Sequence, residues 1–306
     1  MKLLVLLYIG VLGVVILGIG AHYVHARVVE ARCVVERLQI QSRLRRRNNG
    51  HEDLSRISPI VDADNLRGCG IGLYGGGSLG SWVAYFLSPL VGQIRVIDSD
   101  IVEPSNVAGG RTIYSKSHLG MAKSVALKQV LEGASPHLRV LAYQEDINKL
   151  SDAFLQEFLD GDLVICAVDD IHCILRINEQ FYGRRPMVYG GFMRQAAEGF
   201  VCIVTENTPC FRCCMQLQGE SFRTLHREPG LGLDISMVAH FMAKIIIAML
   251  DKSEGEFAQP VRAAVQEGKN ILHISNRTGL FNQEPFSVTW LAAERQRCEI
   301  CNQPNS

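Results

Sequence analysis

The chain has no surplus of charge: 31 lysines and arginines balance 31 aspartates and glutamates. A protein held to a polyanion by general attraction carries an excess of one sign, so composition gives no direct nucleic-acid signal. An internal repeat and a low-complexity tract are also missing, which sets aside solenoids and compositional disorder. Nor do the ten cysteines have disulfide-framework spacing. Cys33, Cys69, Cys166, Cys173, Cys202 and Cys214 are scattered, and the other four form two C-x-x-C pairs. That usage fits a reducing compartment. Past the N-terminus no uncharged run is long enough to span a bilayer. Ile235 to Leu250 is sixteen residues and contains His240 and Lys244, so it reads as a buried helix.

What is present suffices for one large α/β core, since 306 residues with 47% hydrophobic content leave ample apolar material once an N-terminal segment is removed. Leu3 to Ala21 has no charge and no proline, and as a helix it would cross about 30 Å of hydrocarbon. One lysine, Lys2, precedes it; Arg27, Arg32, Arg37, Arg43, Arg45, Arg46 and Arg47 follow. The positive-inside rule then predicts a single-pass membrane anchor over residues 1–24 with the rest of the chain in the cytoplasm. A secretory signal is the rival reading, but the apolar run is long for one and the flank is strongly basic. Residues 25–66 read as a basic juxtamembrane helix, ended by Asn48-Asn49-Gly50, and a linker from His51. Residues 67–306 form the globular part.

That part is organised around Leu73 to Lys123. A short apolar strand turns through Gly75-Gly76-Gly77-Ser78-Leu79-Gly80 into a helix over Leu79 to Ser88, the order a nucleotide-binding crossover needs. Gly75 permits the turn, Gly77 lets backbone approach a phosphate, and Gly80 lets helix and strand pack closely. A second strand, Gln93 to Ile97, delivers Asp98 eighteen residues after Gly80, where an acid for a ribose is expected. Downstream, a continuous apolar strand over Asp162 to Val168 places Asp169 and Asp170 at its C-terminal end, where open α/β sheets bind ligands. Strands are also expected at Leu138 to Tyr143, Met187 to Tyr189 and Gly199 to Thr205, with a strand pair within Ile271 to Trp290. The two C-x-x-C pairs, Cys210/Cys213 and Cys298/Cys301, make a tetrahedral four-thiolate zinc site if the fold joins them. Unrelated buried thiols or a redox pair are the alternatives.

The series Asp98-Ser-Asp100-Ile-Val-Glu-Pro-Ser-Asn106, Arg111, and Gly120-Met-Ala-Lys123 resembles the nucleotide site of the ThiF/MoeB/HesA family of ubiquitin-activating-enzyme-like adenylyltransferases. The likeness continues through Ala167-Val-Asp-Asp170, Pro186 to Gly191 and both cysteine pairs, covering roughly Arg67 to Cys301. It implies a Rossmann-like mixed sheet with helices on both faces, a zinc site near the C-terminus, and a homodimer. It also implies ATP-dependent adenylation of a carboxylate, with the C-terminal glycine of a ubiquitin-like β-grasp protein as acceptor. By resemblance Asp98 holds the ribose, Asp100, Asn106 and Lys123 line the nucleotide site, Arg111 neutralises phosphate, and Asp169 holds Mg2+ with Asp170 sharing the metal or facing water.

The chain departs from that pattern in three places. Arg111 stands five residues after Asn106 rather than three, so its loop must bulge or the contact is lost. An arginine expected after the metal aspartate is Ile174, and the family's partner-subunit arginine has only Arg56 as a match. No cysteine occurs between Cys214 and Cys298, so the crossover loop expected over Gln218 to Asp234 has none to form a thioester. Two other functions share these residues: activation of a small or tRNA-borne carboxylate, and a membrane-tethered nucleotide-binding module without turnover.

Overall fold

The computed structural model describes residues 54–217, 229–277, 284–295 and 298–301, with no side-chain description for 215–217. The expected anchor, the basic segment and most of the crossover loop lie outside these residues.

The described chain opens with turns and then α1 (Ala63–Gly68), which crosses the expected boundary between linker and globular part. Asp62 caps it by accepting from the Asn65 N–H at 3.0 Å, and Leu66 is fully buried. Then follow β1 (Gly70–Tyr74), α2 (Ser78–Leu87), β2 (Gln93–Ile97), the single turn α3 (Pro104–Val107), α4 (Lys123–Ala134) and β3 (Arg139–Tyr143). The alternation continues with α5 (Asp152–Leu159), β4 (Leu163–Cys166), α6 (Ile171–Phe181) and β5 (Met187–Met193). The last third holds β6 (Glu198–Val204), α7 (Phe211–Leu217), α8 (Gly232–Leu250), α9 (Gln259–Gln266), β7 (Ile271–Ser275) and β8 (Ser287–Leu291).

The eight strands among the described residues make one sheet in the order β3-β2-β1-β4-β5-β6-β7-β8. The pairs from β3 to β5 are parallel and those from β5 to β8 antiparallel, which is the mixed sheet the resemblance implies. Parallel strands need helical crossovers on both faces, and their residues are accordingly mostly apolar: Ile71, Leu73, Ile94, Val96, Val164 and Ile165 are at most 1% exposed, while Gln93 and Arg95 of β2 are buried polar exceptions. The chain runs outward from β1 to β2 and β3, then returns to β4 on the other side of β1. That reversal opens a crevice at the C-terminal ends of β1 and β4.

α8 is long and apolar enough to cross a membrane by length and composition. It is a core helix instead. Val238, Met242 and Ile246 are fully buried, and the helix packs along α2 and across β5 and β6. Removal of each such side chain from water stabilises the fold by roughly 1.5–3 kcal/mol, which outweighs its low polarity as a membrane signal. Its first turn reaches back to Gly232, so Asp234, expected in the loop, is helical.

Candidate active site

β1 ends at the glycine turn. Gly75 has φ +96°, and a β-carbon on it would stand 2.7 Å from Ala167 O, so both its conformation and its closeness to the end of β4 demand glycine. At Gly80 a β-carbon would lie 1.9 Å from Gly75 O, and α2 therefore sits directly on the turn. The helix N-terminus opens, without a side-chain cap, into a cleft of about 610 Å³. Unsatisfied N–H groups there favour an anion. The cleft is lined by Gly75, Gly77, Ser78, Asp98, Asp100, Asn106, Arg111, Lys123, Asp169, Gly191 and Phe192, among others. Four separate strand ends thus meet in one cavity.

Asp98 follows β2 and is 8% exposed. Its Oδ2 accepts from the Gly76 N–H at 2.7 Å and its Oδ1 from the Asp100 N–H at 2.8 Å, which fixes the carboxylate against the turn. Burial pushes its carboxyl up, and the Lys123 charge and these two N–H groups pull the other way. Lys123 opens α4; its Nζ donates to Asp100 Oδ2 at 2.8 Å and its N–H to Asp100 O at 2.8 Å. Asn106 caps its own short helix, with Oδ1 accepting from the Glu103 N–H at 2.8 Å, and also faces the cleft.

Two residues of this site went unnoticed in the sequence. Tyr114, 4% exposed, donates its hydroxyl to Gly76 O at 2.6 Å and has Lys123 O in reach at 3.2 Å, so it ties the turn to the base of α4. Burial raises its phenol well above the usual range, which keeps it a donor. Ser78, the first residue of α2, presents its hydroxyl 3.5 Å from Arg111 Nη2. Nothing in the residue pattern marks Tyr114, whereas Ser78 stood inside the glycine turn.

Arg111 reaches the cleft despite its displacement. The two extra residues form a bulge: Ala108–Gly110 is a single 3-10 turn in which Gly109 and Gly110 have φ +65° and +66°. Asp169 is exposed at the rim past β4 and makes no hydrogen bond or ion pair within the described residues. Asp170 points elsewhere, accepting from the His172 and Cys173 N–H groups at 2.8 and 3.2 Å as the cap of α6. Ile174 is buried in the core of α6 and contributes nothing polar.

The four C-x-x-C cysteines meet away from this cleft. All their sulfurs lie within 4.8 Å of one another, with Cys210–Cys298 at 3.5 Å, Cys213–Cys301 at 3.4 Å and Cys210–Cys213 at 4.0 Å. Metal–sulfur bonds of about 2.3 Å in a tetrahedron require sulfur separations of about 3.8 Å, so the set fits one metal ion. Burial drives the Cys210 thiol up. It acts on Cys298 as well, but there the N–H groups of Cys301 and Ile300 and the thiols of Cys210 and Cys301 overcome it and lower the thiol to about 7. Cys214 stays outside the cluster, accepting from Asn270 Nδ2 at 3.2 Å. Each of the nine described cysteines is buried.

A glycine turn at a sheet reversal, a buried acid behind it, and a lysine and an arginine converging on the same cleft define a nucleotide-binding α/β protein. The chain belongs to the ThiF family, whose model matches residues 52–281. It is 24% identical over 191 residues to the molybdopterin-synthase adenylyltransferase of Salmonella typhimurium, covering 62% of this chain and 74% of that protein. Over 192 residues it is 27% identical to ubiquitin-like modifier-activating enzyme 5 of Oryza sativa subsp. japonica, covering 57% of this chain and 45% of the relative. Among solved structures, E. coli MccB superposes with a TM-score of 0.63 at 18% identity, over 85% of this chain and 75% of that one, a likeness of fold.

Proposed function

We propose that the protein uses ATP to adenylate the C-terminal carboxylate of a ubiquitin-like β-grasp protein, releasing pyrophosphate. The observation that carries this reading is the convergence of Asp98, Lys123, Arg111 and Asp169 on one cleft at the strand reversal. A carboxylate oxygen attacks the α-phosphorus, the bond to the β-phosphate oxygen breaks, and the electron pair leaves with pyrophosphate. Charge therefore grows on the leaving group, and fixed cations placed beforehand stabilise it most.

Each side chain has a task in that step. Asp98, already fixed by two N–H groups, retains lone pairs to accept from the ribose hydroxyls. Lys123 and Arg111 neutralise phosphate charge, and the N-terminus of α2 adds its N–H groups. Asp169 would hold Mg2+, whose charge offsets that of the departing pyrophosphate. The four cysteines would hold Zn2+ with no open position, a structural role. The names of the relatives, molybdopterin-synthase adenylyltransferase and ubiquitin-like modifier-activating enzyme 5 among them, support the acceptor class. A homodimer and a cytoplasmic catalytic domain tethered by residues 1–24 complete the proposal, the tether resting on the apolar run and the seven arginines after it.

Exchange of labelled pyrophosphate into ATP tests the chemistry, because the exchange requires the adenylate to form and reverse. With Mg2+ and a β-grasp protein ending in Gly-Gly the wild-type protein should support exchange. ATP binding without exchange, across such proteins and small carboxylates, would overturn the reading. Exchange with a small carboxylate alone would replace the acceptor.

A further inference from the structure

The segment that carries Arg111 is closed at its base, where Thr112 Oγ1 donates to Asn106 O at 2.8 Å, but the stretch between them has little structure of its own. It leaves α3 at Val107 and makes one 3-10 turn through Gly109 and Gly110, both left-handed. Paired glycines lose much conformational entropy when ordered, so a defined position for Arg111 must be imposed from outside the turn. Two contacts from the neighbouring helices bear on the turn itself. The first comes from Trp82, one helical turn after Ser78 on α2, whose Nε1–H donates to Gly110 O at 3.1 Å. Its ring is stacked on Phe86, with centroids 5.7 Å apart and planes 25° apart, and Phe86 in turn meets His240 of α8 at 3.9 Å. The second comes from Gly232, at the start of α8. A β-carbon there would stand 2.0 Å from Gly110 O and 2.7 Å from Gly109 O, so the two backbones touch with no room for a side chain.

We propose that Trp82 and Gly232 are positioning residues for Arg111: together they clamp the diglycine turn from two helices, and this clamp is what keeps the guanidinium beside Ser78 at the mouth of α2. The proposal rests on the reading above only in taking Arg111 to serve the nucleotide phosphates. One face of α2 then does two jobs, Ser78 facing the side chain of Arg111 and Trp82 holding the backbone just before it.

Trp82→Phe keeps the stacked ring and removes the N–H. ATP affinity, measured by calorimetry, should fall about tenfold, the scale of losing one well-placed contact, while the melting temperature stays within a degree or two of wild type. In an Arg111→Ala background the same change should cost less than about twofold, because the clamp then has nothing to position. Gly232→Ala, whose methyl group must displace Gly110, should follow the same pattern and serves if Trp82→Phe folds poorly. Equal losses with and without Arg111, or no loss in either background, would overturn the clamp. The measured quantity is ATP binding, so a wild-type protein that binds ATP and never exchanges pyrophosphate removes the adenylation reading and leaves this one standing.

Discussion

The parallel and antiparallel halves of the sheet place their principal polar groups differently. In the parallel half, strand interiors are mostly apolar, Gln93 and Arg95 of β2 being buried exceptions, and the cleft's polar groups stand at the C-terminal ends: Asp98 after β2, Asp169 after β4, with Arg111 and Lys123 on the intervening connections. In the antiparallel half, polar groups lie within the strands. Glu198 of β6 and His273 of β7 are 0% and 1% exposed, 3.4 Å apart, and Glu198 is also paired with Arg194. The cysteine cluster joins α7 to the chain's last described residues beyond that half. One half therefore exposes its chemistry and the other encloses it. Activity and stability should separate along the same line.

The largest effect is expected from Cys298→Ser. Removing one of four thiolates weakens a metal whose binding free energy is also folding free energy, so the loss of stability should reach several kcal/mol. Elemental analysis should show less zinc, and calorimetry a lower melting temperature. Full metal content in a stably folded variant would remove Cys298 from the ligand set. Next is Asp169→Ala, on the exposed side of the comparison. Pyrophosphate exchange should fall on the order of a hundredfold, with ATP affinity and melting temperature much less affected, because the charge it manages appears mainly as pyrophosphate leaves. Equal losses in binding and exchange would show a ground-state role instead. The smallest is Glu198→Gln, which leaves His273 and Arg194 beside a neutral amide. Stability should drop by roughly 1–3 kcal/mol with exchange unchanged in the folded protein. A loss of exchange at full stability would break the division between the halves.

Much of the exposed half was legible in the sequence for the same physical reason. Gly75 and Gly80 are forced by backbone geometry, and such constraints leave a trace in residue type. The paired C-x-x-C spacing is equally direct. The misreadings fall where a distant partner decides. The strand expected over Met187 to Tyr189 runs on through Gly190 and Gly191 to Met193. A β-carbon at Gly190 would meet Met242 Sδ at 2.5 Å, and one at Gly191 would meet the Phe200 ring at 2.6 Å, so these glycines mark close packing rather than a turn. The expected linker runs into α1 because Asp62 N–H donates to Asp251 Oδ1 at 2.9 Å and Asn65 Nδ2 to Leu250 O at 2.9 Å, partners nearly 190 residues away. Arg111 lay between these cases. Its spacing left a bulge or a lost contact open, and only the left-handed pair Gly109-Gly110 and the neighbouring helices show that a bulge returns the side chain to the cleft.

Tyr114 has a kinetic meaning. By bonding Gly76 O, with Lys123 O in reach, it sets the span between the anion turn and the lysine before any ligand arrives. Asp98 and Lys123 are likewise held by partners within the protein. A nucleotide entering such a preset frame has little to rearrange, so association should be governed by encounter and orientation. Discrimination between ATP and other nucleotides then has to be expressed in how fast each one leaves.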